Sequence, residues 1–291
     1  MPRSQAIEIA IDPLIAQAGP LAIRWWGVFL IVSMLVSLAL ALREARRRGI
    51  REDDIWSFSF WAILAGFLGA RLVHLLDSWP QYAGDWRQAF LITEGGLALY
   101  GAILGGLVAA GVFAWAKDLP FWRLADTLAP AAALGQAVGR LGSIISGESF
   151  GRPAALPFSL VYTHERTAVP DYTESLVQVR GVPTHPAAGY ELLWDLAIFG
   201  ILWSARRRLP EGIPALLYVM LYGVGRFVIS FARLEPAFVL SLSAAQVIAL
   251  SSLAVVLPLL ARRLLRQRAR APAVPPSGRA GMAGQASPTI G

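Results

Sequence analysis

The sequence predicts an all-α polytopic membrane protein with about seven transmembrane helices and a small cap segment on the outer side. Of its 291 residues, 56% are hydrophobic and 15% are charged, whereas soluble domains are roughly half apolar and a quarter charged. The apolar residues come in blocks of about twenty, the length of a helix that crosses a hydrocarbon layer roughly 30 Å thick. Clusters of arginine follow alternate blocks, as expected for loops on the cytoplasmic side.

The apolar blocks define the predicted spans. They cover approximately residues 21–42, 55–76, 97–116, 122–146, 188–205, 213–233 and 241–265. The connections are short except for residues 147–187, which hold five prolines and the alternating stretch PFSLVYT. We expect this segment to fold as a cap on the outer surface. The transmembrane domain is predicted to span residues 1–265, and the Pro-, Gly-, Ala- and Ser-rich tail 266–291 is predicted to be disordered.

The distribution of charge predicts the orientation. The net charge is +7, and sixteen Lys and Arg residues lie in the loops and tail on one side, against five in the opposite loops. The positive-inside rule then places the amino terminus outside and the carboxyl terminus in the cytoplasm. The basic charge therefore indicates topology and affinity for anionic lipid rather than a nucleic-acid partner. Because the chain has no cysteine, a disulfide or thiolate metal site is excluded, and we expect neither a metal nor a cofactor.

Arginines at membrane depth are the first candidates for a functional site. A charged side chain in the hydrocarbon costs at least a few kcal/mol and usually faces a partner or a wet cavity. Arg140 lies near the outer end of the fourth block, and Arg226 lies in the sixth, one helical turn after Tyr222. Since the guanidinium fork grips two oxygens and stays charged when desolvated, a pair with too few buried acids to neutralise it indicates an anionic ligand. The alternative is a structural salt bridge.

Further polar residues gather at the predicted outer ends of the spans. They are Glu148, Arg233, His185, Tyr190 and Glu191. We expect Glu148 to be a partner for Arg140, whereas Arg233 has snorkelling to the interface as its alternative. His185 is either part of the site or a plain loop residue. Glu191 and Asp195 are four residues apart, so they give the fifth span an acidic face that is able to pair arginines.

Together these motifs resemble the prolipoprotein diacylglyceryl transferases, seven-span enzymes of the bacterial inner membrane. The strongest match is GRLGSIISGESFG at 139–151, against the family pattern Gly-Arg-x-Gly-Asn-x-x-Asn-x-Glu-x-x-Gly. The other matches are EGG before the third span, HP followed by YE at 185–191, and Tyr222 with Arg226. The similarity runs from residue 11 to residue 233, and several motifs in the right order are more specific than any one of them.

The resemblance implies a function. The family moves a diacylglyceryl group from phosphatidylglycerol to the lipobox cysteine thiol of a prolipoprotein and releases glycerol phosphate. Its partners would be phosphatidylglycerol, the lipobox peptide and the surrounding membrane lipid, in a bacterial plasma membrane. Arg140 and Arg226 would hold the phosphate and stabilise charge on the leaving group. The residues implied for lipid binding are Arg140, Ser143, Glu148, Gly151, Tyr222 and Arg226, with Trp26, His185, Tyr190, Glu191 and Arg233 around them.

Several positions depart from the family pattern. The family histidine of the third span is Tyr100, and the two asparagines are Ser143 and Ser146. The tyrosine at the entry to the first span is Trp26, and the glutamate four residues after the sixth-span arginine is Ser230. A base near pKa 7 would generate the attacking thiolate, so Tyr100 would need help from two nearby arginines to act as one. Two alternatives stay open: transfer to another acceptor or from another headgroup, and binding or transport of anionic phospholipid without catalysis.

Overall fold

The computed structural model describes residues 6–19, 21–82, 98–167 and 180–270, which form seven long helices and three two-stranded sheets. The helices are α1 (Trp25–Arg48), α2 (Glu52–Asp77), α3 (Trp79–Tyr82, a single turn), α4 (Leu99–Ala116), α5 (Phe121–Ser146), α6 (Ala187–Ala205), α7 (Ile213–Ile229) and α8 (Ala244–Arg270). The strands are β1 (Ile7–Ile9), β2 (Leu14–Ala18), β3 (Leu21–Arg24), β4 (Leu160–Tyr162), β5 (Ala237–Val239) and β6 (Leu242–Ser243). The predicted all-α polytopic fold is confirmed.

Six of the long helices in the described part of the chain are apolar enough to cross a membrane. The seventh, α6, carries Glu191 and Asp195, two carboxylates that lower its mean hydropathy and lie buried against neighbouring helices. Ionisable groups inside a membrane bundle normally face its interior in this way. Each long helix falls on one of the seven predicted apolar blocks, and its bounds differ from those of the block by a few residues.

The predicted start of the disordered tail, at residue 266, is wrong. Helix α8 continues to Arg270. Arginine has high helix propensity, and cations interact favourably with the carboxyl end of a helix, so the basic run extends the helix beyond its apolar part. Residues 271–291 lie outside the described residues.

Small residues allow the closest helix contact. Gly101 and Gly105 of α4 approach α2 so closely that a Cβ on either would overlap a backbone carbonyl, that of Gly69 or Ala65 respectively. Glycines four residues apart commonly permit such packing between transmembrane helices. The pair therefore acts in packing α2 against α4.

Helix ends gather at two opposite ends of the bundle. At one, the Trp26 amide at the start of α1 donates a hydrogen bond to Ser146 Oγ at the end of α5 (3.1 Å). At the other, Arg48 at the end of α1 meets Asp126 at the start of α5, with 3.4 Å between Nη1 and Oδ2. We call these the outer end and the inner end, after the predicted topology. The side of the membrane that each faces remains a prediction.

The described parts of the cap segment, residues 147–167 and 180–187, include a strand and a small apolar cluster. Phe150, Leu160 and Tyr162 are buried together, with Ile9 packed against them. The strand β4 pairs in parallel with β1 and falls within PFSLVYT, as predicted. The Tyr162 hydroxyl donates a hydrogen bond to the Ile144 carbonyl of α5 (2.9 Å), and burial raises the pKa of this phenol. The cap is thereby fixed to the outer end of α5.

Candidate active site at the outer end

Three arginines and three carboxylates form one ion-pair cluster at the outer end. They are Arg140 of α5, Arg226 of α7, Arg233 after the 3-10 turn Ser230–Ala232, Glu191 and Asp195 of α6, and Glu235. We call these six residues the outer cluster. Their formal charges cancel, so the expectation of too few acids to neutralise the arginines is wrong. The acids were hard to count from the sequence because they come from α6 and from the connection after α7.

Glu191 lies at the centre of the outer cluster. Its side chain is 4% exposed, and its Oε1 lies 2.6 Å from Nη1 of Arg226. Its Oε2 lies 3.0 Å from Nη1 of Arg140 and 3.0 Å from Nη1 of Arg233. Arg140 and Arg226 come from different helices and are brought together by this one carboxylate. The structure therefore places the two predicted arginines in a single site, with Arg233 beside them.

Glu235 supplies a second shared carboxylate. Its Oε1 accepts hydrogen bonds from Arg226 Nη2 (2.6 Å) and Arg233 Nε (2.8 Å), and its Oε2 accepts one from Ser243 Oγ (2.8 Å). Burial acts to raise the pKa of Glu235, but the two guanidiniums outweigh it and hold the pKa below its usual value. Glu235 is therefore ionised at neutral pH. Glu235 was not predicted from the sequence, in which its one signal is its position two residues after Arg233.

Two polar atoms of the site are buried without a hydrogen-bond partner among the described residues. One is Ser230 Oγ, at the position where the family pattern has a glutamate, and the other is Asp195 Oδ2. The latter lies 3.9 Å from Arg140 Nε, which is an ion-pair distance but too long for a hydrogen bond. Most buried polar atoms in proteins are hydrogen-bonded. The region around the arginines thus has more buried polar atoms without a hydrogen bond than an ordinary protein core.

Two of the predicted tyrosines reach the outer cluster. Tyr222 interacts with Arg226 one turn later on α7 and stacks on Tyr218, with ring centroids 6.1 Å apart. Tyr100, at the start of α4, interacts electrostatically with Arg226 and with Glu235. The arginine favours a negative charge on the Tyr100 oxygen, but the carboxylate disfavours it. Glu235 therefore opposes the stabilisation of a Tyr100 phenolate that was predicted from two nearby arginines. The EGG motif before α4 lies outside the described residues.

The segment that carries the strongest family match closes the end of α5. The buried Ser143 carbonyl accepts a hydrogen bond from the Gly147 amide, and Ser146 accepts the Trp26 amide. The charged neighbour of Glu148 is Arg24; burial raises the Glu148 pKa, and Arg24 partly opposes this. The predicted pairing of Glu148 with Arg140 is wrong, because α6 supplies Arg140 with two nearer carboxylates.

Gly151 and His185 pack where the cap meets the beginning of α6. A Cβ on Gly151 would overlap the His185 carbonyl, so the close approach requires glycine. Gly151 also forms a β-bridge with Arg233, which ties the backbone of that arginine to the cap. His185 Nδ1 lies 3.2 Å from the Tyr190 hydroxyl. Gly151 thus positions Arg233, while His185 and Tyr190 are engaged with each other.

Comparison with known proteins shows which family the chain matches. The family model described as prolipoprotein diacylglyceryl transferase matches residues 13–262. A phosphatidylglycerol–prolipoprotein diacylglyceryl transferase from Nostoc sp. (strain PCC 7120) is 35% identical over 270 residues, covering 90% of this chain and 93% of that protein. The protein of the same name from Symbiobacterium thermophilum is 38% identical over 231 residues, covering 79% of this chain and 84% of its own. The one from Oceanobacillus iheyensis is 33% identical, with 78% and 79% covered.

Proposed function

The chain belongs to the prolipoprotein diacylglyceryl transferase family, and we propose that it transfers the diacylglyceryl group of phosphatidylglycerol to the lipobox cysteine thiol of prolipoproteins. One observation supports the outer cluster as the site of this reaction. Arg140 and Arg226 come from different helices and both pair with the Glu191 carboxylate. Both arginines match the family motifs. The reaction is one step in lipoprotein maturation.

The reaction explains why arginines are needed. The thiolate sulfur forms a bond to the glycerol carbon that carries the phosphate, and the bond between that carbon and the phosphate oxygen breaks. The leaving glycerol phosphate gains one negative charge relative to the phosphodiester, while the thiol proton passes to a base. Guanidiniums that already point at the phosphate stabilise this developing charge without reorganisation. We assign this role to Arg140 and Arg226, and we assign Arg233 to the same phosphate-binding site.

The remaining predicted residues support these arginines. Tyr222 interacts with Arg226, and Gly151 fixes the backbone of Arg233. Glu148 and Trp26 line the same outer end beside Arg24 and Ser146. We propose that the lipid headgroup lies between the outer cluster and the residues Glu148 and Trp26. The thiol of the lipobox peptide would approach at the start of α4, where Tyr100 stands beside Arg226.

A second hypothesis, lipid binding or transport without transfer, is favoured by one observation. Tyr100 takes the position of the family histidine, and the Glu235 carboxylate disfavours a phenolate there. A protein that had lost its base would keep the anion site and lack the activity. The related transferase hypothesis, with another acceptor or headgroup, uses the same site.

We propose the predicted orientation for the membrane-embedded chain, with the amino terminus and the cap outside and the carboxyl terminus in the cytoplasm. In this orientation the outer cluster would lie in the leaflet that faces the prolipoprotein. The domain covers residues 1–265 in the prediction, and α8 extends it to Arg270.

The test is transfer by the purified protein in nanodiscs. Phosphatidylglycerol with a labelled diacylglyceryl group is incubated with a lipobox peptide, and the labelled thioether peptide is quantified. Matched controls replace the peptide cysteine by serine and the lipid by phosphatidylethanolamine. We expect label on the cysteine peptide only, and only from phosphatidylglycerol. Lipid binding without any labelled peptide would support the binding hypothesis, and label from another headgroup would support the related transferase.

A further inference from the structure

Glu235 is the one carboxylate of the outer cluster that does not lie on a long helix. Glu191 and Asp195 are fixed by α6, whereas Glu235 lies between the 3-10 turn that follows α7 and the hairpin formed by β5 and β6. The Glu235 side chain is 12% exposed and that of Glu191 is 4% exposed. Of the two carboxylates that bind Arg226 and Arg233, Glu235 is therefore the easier to move.

The contacts of Glu235 are those that a phosphate would make. One of its oxygens accepts from two guanidiniums, Arg226 and Arg233, at 2.6 and 2.8 Å. Phosphate oxygens, like carboxylate oxygens, accept strong charge-assisted hydrogen bonds from guanidiniums. Its other oxygen is held by Ser243, which belongs to the same connection between α7 and α8. The cluster thus contains a carboxylate in the position of an anionic ligand.

The turn of the hairpin beyond Glu235 is exposed. Its two turn residues, Leu240 and Ser241, both have left-handed backbone conformations, with φ of 50° and 62°. Two-residue hairpin turns of this kind favour asparagine and glycine, and neither is present. Phe238 and Leu240 are 68% and 90% exposed. Few buried contacts give a segment low local stability, so the turn between Val239 and Leu242 is able to adjust. The flanking Leu234 and Ser243 are hydrogen-bonded to Phe150 and Gln246.

The site also lacks the family's alternative carboxylate. The family pattern has a glutamate at the position of Ser230, whose buried hydroxyl has no hydrogen-bond partner among the described residues. The negative charge next to Arg226 on this side of the cluster is instead provided by Glu235. A carboxylate on a loop between helices can move away and be replaced by another anion more easily than a carboxylate fixed on a helix.

We propose that Glu235 holds the place of the lipid phosphate on Arg226 and Arg233, and that phosphatidylglycerol displaces it, while Glu191 keeps the arginines together. The identity of the lipid rests on the proposed function. In the lipid-free protein, Glu235 keeps two guanidiniums oriented and neutralised inside the membrane. Glu235 competes with the substrate for the two arginines. The apparent affinity for lipid is therefore the intrinsic affinity multiplied by the fraction of molecules in which Glu235 has moved away.

The experiment measures lipid binding independently of transfer. The detergent-purified full chain is titrated calorimetrically with dioctanoyl phosphatidylglycerol and, separately, with glycerol phosphate, for the parent, Glu235→Gln, Ser243→Ala and Glu191→Gln. If the open form is about one molecule in ten, Glu235→Gln binds both probes about tenfold more tightly. Ser243→Ala removes the hydrogen bond to Glu235 and also the one that Ser243 Oγ accepts from the Gln246 amide (3.3 Å). It changes the affinity in the same direction by a smaller factor. Glu191→Gln weakens binding, because the arginines lose their shared anchor.

Equal or weaker binding of phosphatidylglycerol by Glu235→Gln would overturn the proposal and make Glu235 a structural partner. Tighter binding of the lipid without tighter binding of glycerol phosphate would also overturn it, since the acyl chains and not the phosphate would then be responsible. If Glu235→Gln does not fold, the Ser243→Ala titration decides. Failure of the proposed function gives a different result: the affinities change as expected, but no labelled peptide forms in the transfer assay.

Discussion

Arginines meet buried carboxylates at both ends of the bundle, and the two groups differ in what else the carboxylates bind. At the inner end, Glu44 accepts hydrogen bonds from Arg47 (2.8 Å) and Arg206 (3.0 Å), while Asp126 pairs with Arg48. We call these five residues the inner cluster. Asp126 also accepts the amides of Gly212 (2.7 Å) and Ala215 (3.0 Å) at the start of α7, so this inner carboxylate is part of the backbone scaffold.

The hydrogen bonds found for Glu191 and Glu235 within the described residues come from arginine and serine side chains instead. A carboxylate that satisfies amides at a helix start is needed for the helix to form there. A carboxylate that only neutralises guanidiniums can be replaced by another anion. Buried ion pairs alone therefore do not mark an active site. The backbone amides bound by Asp126 distinguish the inner cluster from the outer one.

The largest expected effect is the loss of an outer arginine. Arg140→Gln and Arg226→Gln each remove a cation that stabilises the leaving group, and we expect the rate constant of transfer to fall by at least about 10²–10³-fold. The measurement is single-turnover transfer at saturating phosphatidylglycerol, with folded protein quantified by size-exclusion chromatography. Rates near that of the parent in both variants would make the outer cluster as structural as the inner one.

The next largest effect concerns the base. General-base catalysis is worth about 10²–10⁴-fold, so Tyr100→His is expected to raise the transfer rate by at least about tenfold, and Tyr100→Phe to lower it. An unperturbed tyrosine has a pKa near 10 and a histidine near 6.5. The parent rate should therefore keep rising across pH 6–9, whereas the rate of Tyr100→His should level off near pH 7. Identical profiles for the parent and Tyr100→Phe would show that Tyr100 is not the base.

Lysine at the same positions sharpens the comparison. Arg226→Lys keeps the charge but loses the planar fork, so it should recover only part of the activity that Arg226→Gln loses. Arg47→Lys, at the inner end, is the matched control, because a point charge is sufficient for a partly exposed pair with Glu44. Full activity of Arg226→Lys would mean that charge alone, and not bidentate geometry, matters at the outer cluster.

The smallest expected effect on rate comes from the inner cluster. Asp126→Ala removes the cap of α7 and the nearer of the two carboxylates paired with Arg48, the other being Glu44 at 4.0 Å. We therefore expect a loss of stability of about 3 kcal/mol, the order found for broken buried pairs. The temperature of half-inactivation should fall, while the transfer rate per folded molecule stays unchanged. A reduced rate in fully folded Asp126→Ala would show that the two ends are coupled.

The transmembrane helices were predictable because each depends on local composition. Blocks of about twenty apolar residues form helices in a membrane whatever their neighbours are, and α6 was identified despite Glu191 and Asp195. The start of the tail was wrong at residues 266–270, since composition does not distinguish a basic helix end from a coil. The orientation remains a prediction from charge.

The site was predictable in part. Arg140 and Arg226 were found because an arginine in an apolar block is costly wherever it lies. Their partners depend on contacts between segments distant in the sequence, and Glu148, the nearest acid along the chain, was wrongly given to Arg140. Glu235 was missed for the same reason, since only the fold brings the connection after α7 to the outer end of α6.

The most direct test compares both clusters in one assay. Transfer of labelled diacylglyceryl from phosphatidylglycerol to a lipobox peptide is measured per folded molecule for the parent, Arg226→Gln and Asp126→Ala. If the outer cluster is the active site, the parent transfers the label, and Asp126→Ala has the parent rate per folded molecule despite its lower stability. The rate of Arg226→Gln is at least about 10²-fold lower. Equal rates for the parent and Arg226→Gln, or no transfer by the parent, would contradict the assignment of this chemistry to the outer cluster.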